Sequence, residues 1–296
     1  MVPTMRNTNE IRWAWGLLAV LAVADILGLA LTGMDVRIVP CLSVAASTAV
    51  LLLISFVYKT VRLEPRLAYF AVTGAQLKVY VALGGVLSYL LTAGNRPTID
   101  AELVTADRLL GFDWTTMYAW GKTHVAQHLV LICAYYSVLP QLILMYILLF
   151  TKGFFDRARE MFWLFILTSL GCVVVSGLFP AAGAFGTFNV QTANPSLQHF
   201  LALRDGSMKS IDLQQIQGLV SFPSFHLALA VILAYAARGI PVLFPFLLAL
   251  NAFVIAATPL VGGHHFADLW GGALLTLGAI TAMRRFSSSL PQNLDS

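Results

Sequence analysis

Charge is what this sequence has least of. Of its 296 residues only 11% are Asp, Glu, Lys or Arg, against about 25% in soluble domains. With 58% hydrophobic residues and a mean hydropathy of +0.80, water is excluded as the main solvent of the chain. Cysteine is scarce as well: Cys41, Cys133 and Cys172 all lie in apolar stretches and share no paired spacing. That excludes a disulfide framework and a zinc motif. Internal repeats, low-complexity segments and any stretch resembling a soluble domain are also missing. The net charge of +4 does not point to nucleic acid, because the basic residues sit in short connections between apolar runs.

What the chain does have is long apolar runs. A bilayer core of about 30 Å takes about 20 residues of helix, and eight stretches of that kind are present, near 13–32, 38–58, 67–91, 129–150, 161–183, 219–237, 240–261 and 264–283. The expected fold class is therefore all-α, a polytopic transmembrane helical bundle forming a single integral membrane domain over residues 1–296. The first run follows Arg6 and Arg12 as a secretory signal would, but it is long and no convincing cleavage site follows, so it is read as a retained span.

With the N-terminus inside, Arg6, Arg12, Lys59, Arg62, Arg66, Lys152, Arg157, Arg159, Arg238, Arg284 and Arg285 share one side. Only Arg37, Arg96, Arg108, Lys122, Arg204 and Lys209 fall on the other. The positive-inside rule then places both termini in the cytoplasm of a bacterial-type plasma membrane. The two long connections, 92–128 and 184–218, face outward, and so do all six histidines, at 124, 128, 199, 226, 264 and 265. The first of these connections mixes Leu109, Phe112, Trp114 and Trp120 with polar residues and reads as interfacial or re-entrant helix.

Two segments carry chemistry. In Gly262-Gly263-His264-His265-Phe266-Ala267-Asp268, His264 and Asp268 stand four apart at a helix start and so share a face. A carboxylate there can take a proton from one imidazole nitrogen and leave the other free and nucleophilic. His265 lies three residues from Asp268, and helical spacing alone does not choose between the two histidines. In Ser221-Phe222-Pro223-Ser224-Phe225-His226, Pro223 suits a first helical turn. The flanking serines are candidate caps or phosphate donors, and His226 points into the bundle from the outward end.

Together these segments resemble the type-2 phosphatidic acid phosphatase superfamily. Pro223-Ser224-Phe225-His226 matches its second motif, P-S-x-H, and His264 to Asp268 matches the end of its third, H-x-x-x-D. The surrounding residues look most like the branch that includes inositol phosphorylceramide synthase. The resemblance runs from Met161 onward and implies a six-helix core with the site near the membrane surface. It assigns His264 as the nucleophile that becomes phosphohistidine, Asp268 as its orienter and His226 as the acid that protonates the leaving group. The scheme calls for no cofactor and no metal, and its partners are a lipid phosphate or phospholipid substrate and the bilayer.

The sequence departs from that pattern where the first motif, K-x-x-x-x-x-x-R-P, should close the fifth span. The chain there reads Leu178-Phe179-Pro180-Ala181-Ala182-Gly183-Ala184, without a cation, and Ala257-Thr258 replaces the Ser-Arg of the third motif. Other groups must hold the phosphate, with Arg204 the first candidate, Lys209 the second, and Ser224 a hydroxyl donor beside them. Asp25 and Lys78 lie mid-span, where a lone charge costs about 3 kcal/mol, and are expected to pair with one another. His124 and His128, also four apart, have no carboxylate or thiolate partner nearby in sequence and are expected to bond at the interface rather than bind metal. Four functions are open: a lipid phosphate phosphatase, a phosphotransferase, a His-based metal site, and a non-enzymatic carrier or scaffold. The last would be favoured by His226 and His264 lying more than about 8 Å apart, too far for one phosphoryl group to bridge.

Overall fold

The computed structural model describes residues 6–191 and 194–289. In chain order, α1 (Arg6–Thr32), β1 (Asp35–Val36), α2 (Ile38–Thr60) and α3 (Pro65–Ala93) come first. The first long connection folds as α4 (Asp100–Leu109) and α5 (Trp114–Thr123), followed by α6 (Val125–Tyr136), α7 (Val138–Thr151) and α8 (Phe155–Leu178). The second holds α9 (Gly183–Thr187), α10 (Pro195–Arg204) and β2 (Ser210–Ile211), and the chain continues with α11 (Phe225–Ala236), α12 (Leu243–Val261) and α13 (Phe266–Ser289). Apart from the two-residue parallel pairing of β1 with β2, the chain is all-α and polytopic.

Among the described residues six helical segments are long and apolar enough to cross a membrane: Asn9–Thr32, Ile38–Thr60, Pro65–Ala93, Phe155–Thr187, Leu243–Val261 and Phe266–Arg285. The remaining two expected spans differ from simple rods. The run near 129–150 is the pair α6 and α7, bent by 42°. Pro140, in the first turn of α7, has no N–H for the carbonyl one turn back, so the ladder of hydrogen bonds cannot pass through. The run near 219–237 is helical only as α11, a 12-residue apolar helix. It begins late because Ser224 caps it, its hydroxyl accepting the N–H of Leu227 at 3.4 Å.

The described residues form two compact units, one of residues 6–97 and 194–219, the other of residues 98–191 and 220–289. In the first, α1 and α2 pack on α3, and α10 also packs on α3. Gln76 Nε2 donates to the carbonyl of Ile11 at 2.9 Å, and the missing Cβ of Gly28 would stand 2.8 Å from Leu90. These contacts make α1 and α3 parallel and fix their register. Asp25 is then level with about residue 87 of α3, about 14 Å along the axis from Lys78 at 1.5 Å per residue. The expected ion pair is not formed: Asp25 is 4% exposed and neither carboxyl oxygen has a hydrogen-bond partner.

In the second unit α11 is the hub, packed against α7, α8, α12 and α13. Leu227, Ala228, Leu229, Ala230, Ile232, Leu233, Ala234 and Ala236 are all buried, as a helix apolar on every side must be. The two ends of this unit differ in chemistry. Arg238, just past α11, pairs with Glu160 of α8 and lies 3.9 Å from the Tyr235 ring, over which Arg284 of α13 also stands. The opposite ends of α8, α11 and α13 carry the Pro180, Ser221 to His226 and His264 to Asp268 segments.

α13 and the start of α11 approach to backbone contact at Gly272, where a Cβ would lie 2.3 Å from the carbonyl oxygen of Ser224. Gly272→Ala is expected to cost about 1–3 kcal/mol by overpacking. It should lower the detergent-solubilised protein's unfolding temperature, read by fluorescence-detected thermal melting. An unchanged melt would mean that the two helices do not meet there.

Candidate active site

The site grows from a single buried carboxylate. Asp268, in the first turn of α13, is fully buried, and its Oδ2 accepts the Ser221 hydroxyl at 2.9 Å and the His265 backbone N–H at 2.9 Å. The same oxygen stands 3.2 Å from His264 Nδ1. The Asp268 carbonyl accepts the Ser224 N–H at 2.9 Å, so one residue ties the segment leading into α11 to the start of α13.

His264 Nδ1 faces a second acceptor, the Ser221 carbonyl, at 3.0 Å. With acceptors on both sides, that nitrogen carries the proton, which leaves the Nε2 lone pair free. This is the tautomer a nucleophilic imidazole needs. The His264 and His226 rings are 6.0 Å apart between centroids, at 68°, inside the distance one phosphoryl group can bridge. His226 stacks on Tyr135 of α6 (4.3 Å, 19°), whose hydroxyl lies 3.3 Å from His226 Nδ1.

The backbone before α13 is shaped by Gly263, whose φ of +67° lies in the left-handed region. A Cβ there would also stand 2.3 Å from the Phe185 ring, so both conformation and space demand glycine. The Gly263 carbonyl accepts the N–H of Ala184, docking α9 beside the site at 2.6 Å. Aromatic packing extends this wall. Trp114 stacks on Phe188 at 5.3 Å and donates its indole N–H to the Pro259 carbonyl at 2.9 Å.

Sequence reasoning left His264 and His265 alike, and the surroundings separate them. His265 turns the other way, with Nδ1 3.4 Å from Asp107 and Nε2 3.1 Å from the Thr187 hydroxyl and 3.7 Å from Asp100. Burial works to lower its pKa, but Asp100, Asp107 and Asp268 override that and push it up to about 9. Asp100 accepts the N–H groups of Ala182 and Gly183, each at 3.1 Å, and the Thr187 hydroxyl at 3.1 Å. Burial would raise its pKa, yet His265 and these donors together hold it below the usual carboxylate value. Because the folded value is lowered, the stabilisation is present above the ordinary carboxylate pKa and lost as pH falls through the lowered one.

Asp100, Asp107, Thr187 and Tyr135 were not singled out from the sequence. A signal existed for the two acids: Asp100, Leu103 and Asp107 recur at helical spacing on one face of α4, and Leu103 and Asp107 are buried. The proposed phosphate-holding residues fare differently. Ser224 is fully buried and its hydroxyl caps α11. Arg204 and Lys209 belong to the first unit, and the hydrogen-bond network of Asp268, His264 and His265 is built without them. Arg204 ends α10 with its guanidinium 5.5 Å from the Phe200 ring, and its buried Nη1 has no hydrogen-bond partner. His124, on the expected interfacial stretch, is exposed, stacks on Trp120 at 4.9 Å and lies 2.9 Å from the Thr123 hydroxyl.

Searches against curated proteins and against solved structures returned no match. The family model described as PAP2 superfamily, whose members are generally phosphatases or phosphotransferases, matches residues 101–282. That span covers more than half of the chain and takes in α4 with Asp107, Tyr135, His226, His264 and Asp268; the chain belongs to the PAP2 superfamily.

Proposed function

We propose that the protein is a membrane lipid phosphate phosphatase working through a phosphohistidine. The observation that carries this reading is the placement of His264, with Nδ1 between Asp268 and the Ser221 carbonyl and the His226 ring 6.0 Å away. In the first half-reaction His264 Nε2 attacks phosphorus, the ester P–O bond breaks, and the departing alkoxide takes a proton from His226. Asp268 stabilises the charge that forms on the His264 ring. In the second, His226 accepts a proton from water as its oxygen attacks phosphorus. The P–N bond breaks and His264 is restored with release of phosphate.

The site is proposed to face outward with both termini in the cytoplasm. The second unit supports this, because Arg238 and Arg284 cluster at the end of the helices opposite His226 and His264. Arg204 is the proposed phosphate cation, with Lys209 as a second donor. A buried guanidinium N–H without an acceptor costs stability unless an anion meets it.

A second reading, a phosphotransferase of the inositol phosphorylceramide synthase type, is favoured by one observation. Where the family pattern places its first-motif cations, Ala182 and Gly183 instead donate their N–H groups to the Asp100 carboxylate. A phosphodiester monoanion needs less compensating charge than a phosphomonoester dianion. In this reading a lipid or polyol hydroxyl replaces water in the second half-reaction. Incubation of the purified protein with labelled lipid phosphate or phospholipid, with and without ceramide, diacylglycerol and inositol, separates the two. Phosphate release alone supports the phosphatase, and label in the acceptor supports the transferase.

His264→Ala and Asp268→Asn are each expected to lower kcat by on the order of 10³-fold or more, with a double variant no worse than the weaker single one. Additive losses would mean that the two act separately. His226→Ala should slow a lipid phosphate by about 10²–10⁴-fold but an activated aryl phosphate far less, because an aryl oxide leaves without a proton. Equal slowing would remove the acid role. Arg204→Lys should weaken inhibition by vanadate, a mimic of pentacoordinate phosphorus, since an ammonium cannot reproduce the paired guanidinium bonds. Unchanged inhibition and unchanged activity would sink the assignment of Arg204.

A further inference from the structure

We propose that Asp107 and Asp100 of α4 are positioning residues for His264, acting through His265 and the first turn of α13; this rests on His264 being the reacting group. The first backbone N–H groups of a helix have no partner within it and need acceptors from elsewhere. At α13 carboxylates accept three of the N–H groups at its start, and the His265 carbonyl accepts that of Asp268 at 3.2 Å. Asp268 takes the N–H of His265 at 2.9 Å, while Asp107 takes those of Phe266 at 3.0 Å and Ala267 at 2.7 Å. The residue at the cap position is a histidine, which has no side-chain oxygen to offer, and α4 supplies the cap in its place.

Capping alone does not account for the arrangement. A neutral amide or hydroxyl caps a helix as well as a carboxylate does, and buried carboxylates are costly unless an opposite charge meets them. Here that charge is His265, fully buried, with Asp107 3.4 Å from one ring nitrogen and Asp100 3.7 Å from the other. The charged groups facing His265 are therefore Asp100 and Asp107 from α4 and Asp268 from α13. Asp100 anchors the other side by binding the Ala182 and Gly183 N–H groups, so α4, α9 and α13 are fixed against one another.

The consequence falls on the neighbouring residue. His264 precedes His265 directly, and its ring orientation depends on Asp268 one turn later. A shift of the α13 start by about 1 Å would change the His264 to His226 geometry and cost about 10²-fold in rate. Asp107 and Asp100 touch no reacting atom; they hold the peptide on which the reacting ring is mounted.

Asp107→Asn is the direct test: the amide oxygen still accepts one of the two N–H groups of the helix start, while the charge facing His265 and the acceptor for the other N–H are lost. Expected are a folded protein with a somewhat lowered unfolding temperature, an unchanged KM and a kcat lower by about 10- to 100-fold. Nitrogen-15 NMR of histidine-labelled protein in detergent should show two further changes. The His265 ring goes from doubly protonated to neutral, and His264 goes from a single Nδ1–H tautomer to a mixture. Asp100→Asn should act in the same direction, and it decides the matter if Asp107→Asn does not fold. Unchanged kcat and unchanged His264 signals in the folded variant would overturn the proposal, as would a loss of activity that only parallels loss of folded protein. If wild-type protein turns over no phosphoryl substrate, the proposed function fails, and the His264 tautomer in the variant still decides whether α4 positions that ring.

Discussion

One carboxylate oxygen holds the centre of the second unit together. Asp268 Oδ2 meets the Ser221 hydroxyl, the His265 backbone N–H and the His264 imidazole. Charge-assisted hydrogen bonds of this kind contribute about 1.5–3 kcal/mol apiece, against a desolvation penalty of several kcal/mol for the ion. The balance is favourable only while all three donors are in place. The other oxygen, Oδ1, is buried without a hydrogen-bond partner, so nothing held in reserve replaces a lost donor. The tautomer of His264, the approach of Ser221 and the start of α13 all follow from this one group.

Much of this was legible in the chain. The apolar runs gave the helices, and the four-residue spacing of His264 and Asp268 survives as a 3.2 Å contact. Ser224 was readable as a cap. The choice between His264 and His265 was not available from spacing, because both lie within a turn of Asp268. What separates them is the set of acceptors around each ring, and for His265 these come from α4, more than 150 positions earlier. Contacts of that range leave no local trace in a sequence. Asp25 and Lys78 illustrate the same limit from the other side. Two charges in neighbouring spans invite pairing, but the register of α1 on α3, set by Ile11 with Gln76 and Gly28 with Leu90, decides whether they are level.

The segment after α8 shows how a departure from a family pattern can be absorbed. The expected cations are missing there, and the N–H groups of Ala182 and Gly183 are directed at an internal carboxylate. The same loop reaches the backbone of Gly263 through Ala184. This region thus serves as a brace for α4 and α13.

The shortness of α11 has a consequence for depth. Twelve residues rise about 18 Å, while the hydrocarbon slab is about 30 Å thick. The end of α11 is marked by Tyr235 and Arg238, the latter paired with Glu160, an aromatic and ionic collar of the kind that sits at a membrane interface. Measured from that collar, α11 is about 12 Å shorter than a hydrocarbon slab is thick. Non-helical backbone at membrane depth is tolerated only where protein or a water-filled recess surrounds it. The stretch from Ser221 to Ser224 meets that condition through its bonds to Asp268, so the short helix leaves room for a polar loop where a full-length span would be apolar.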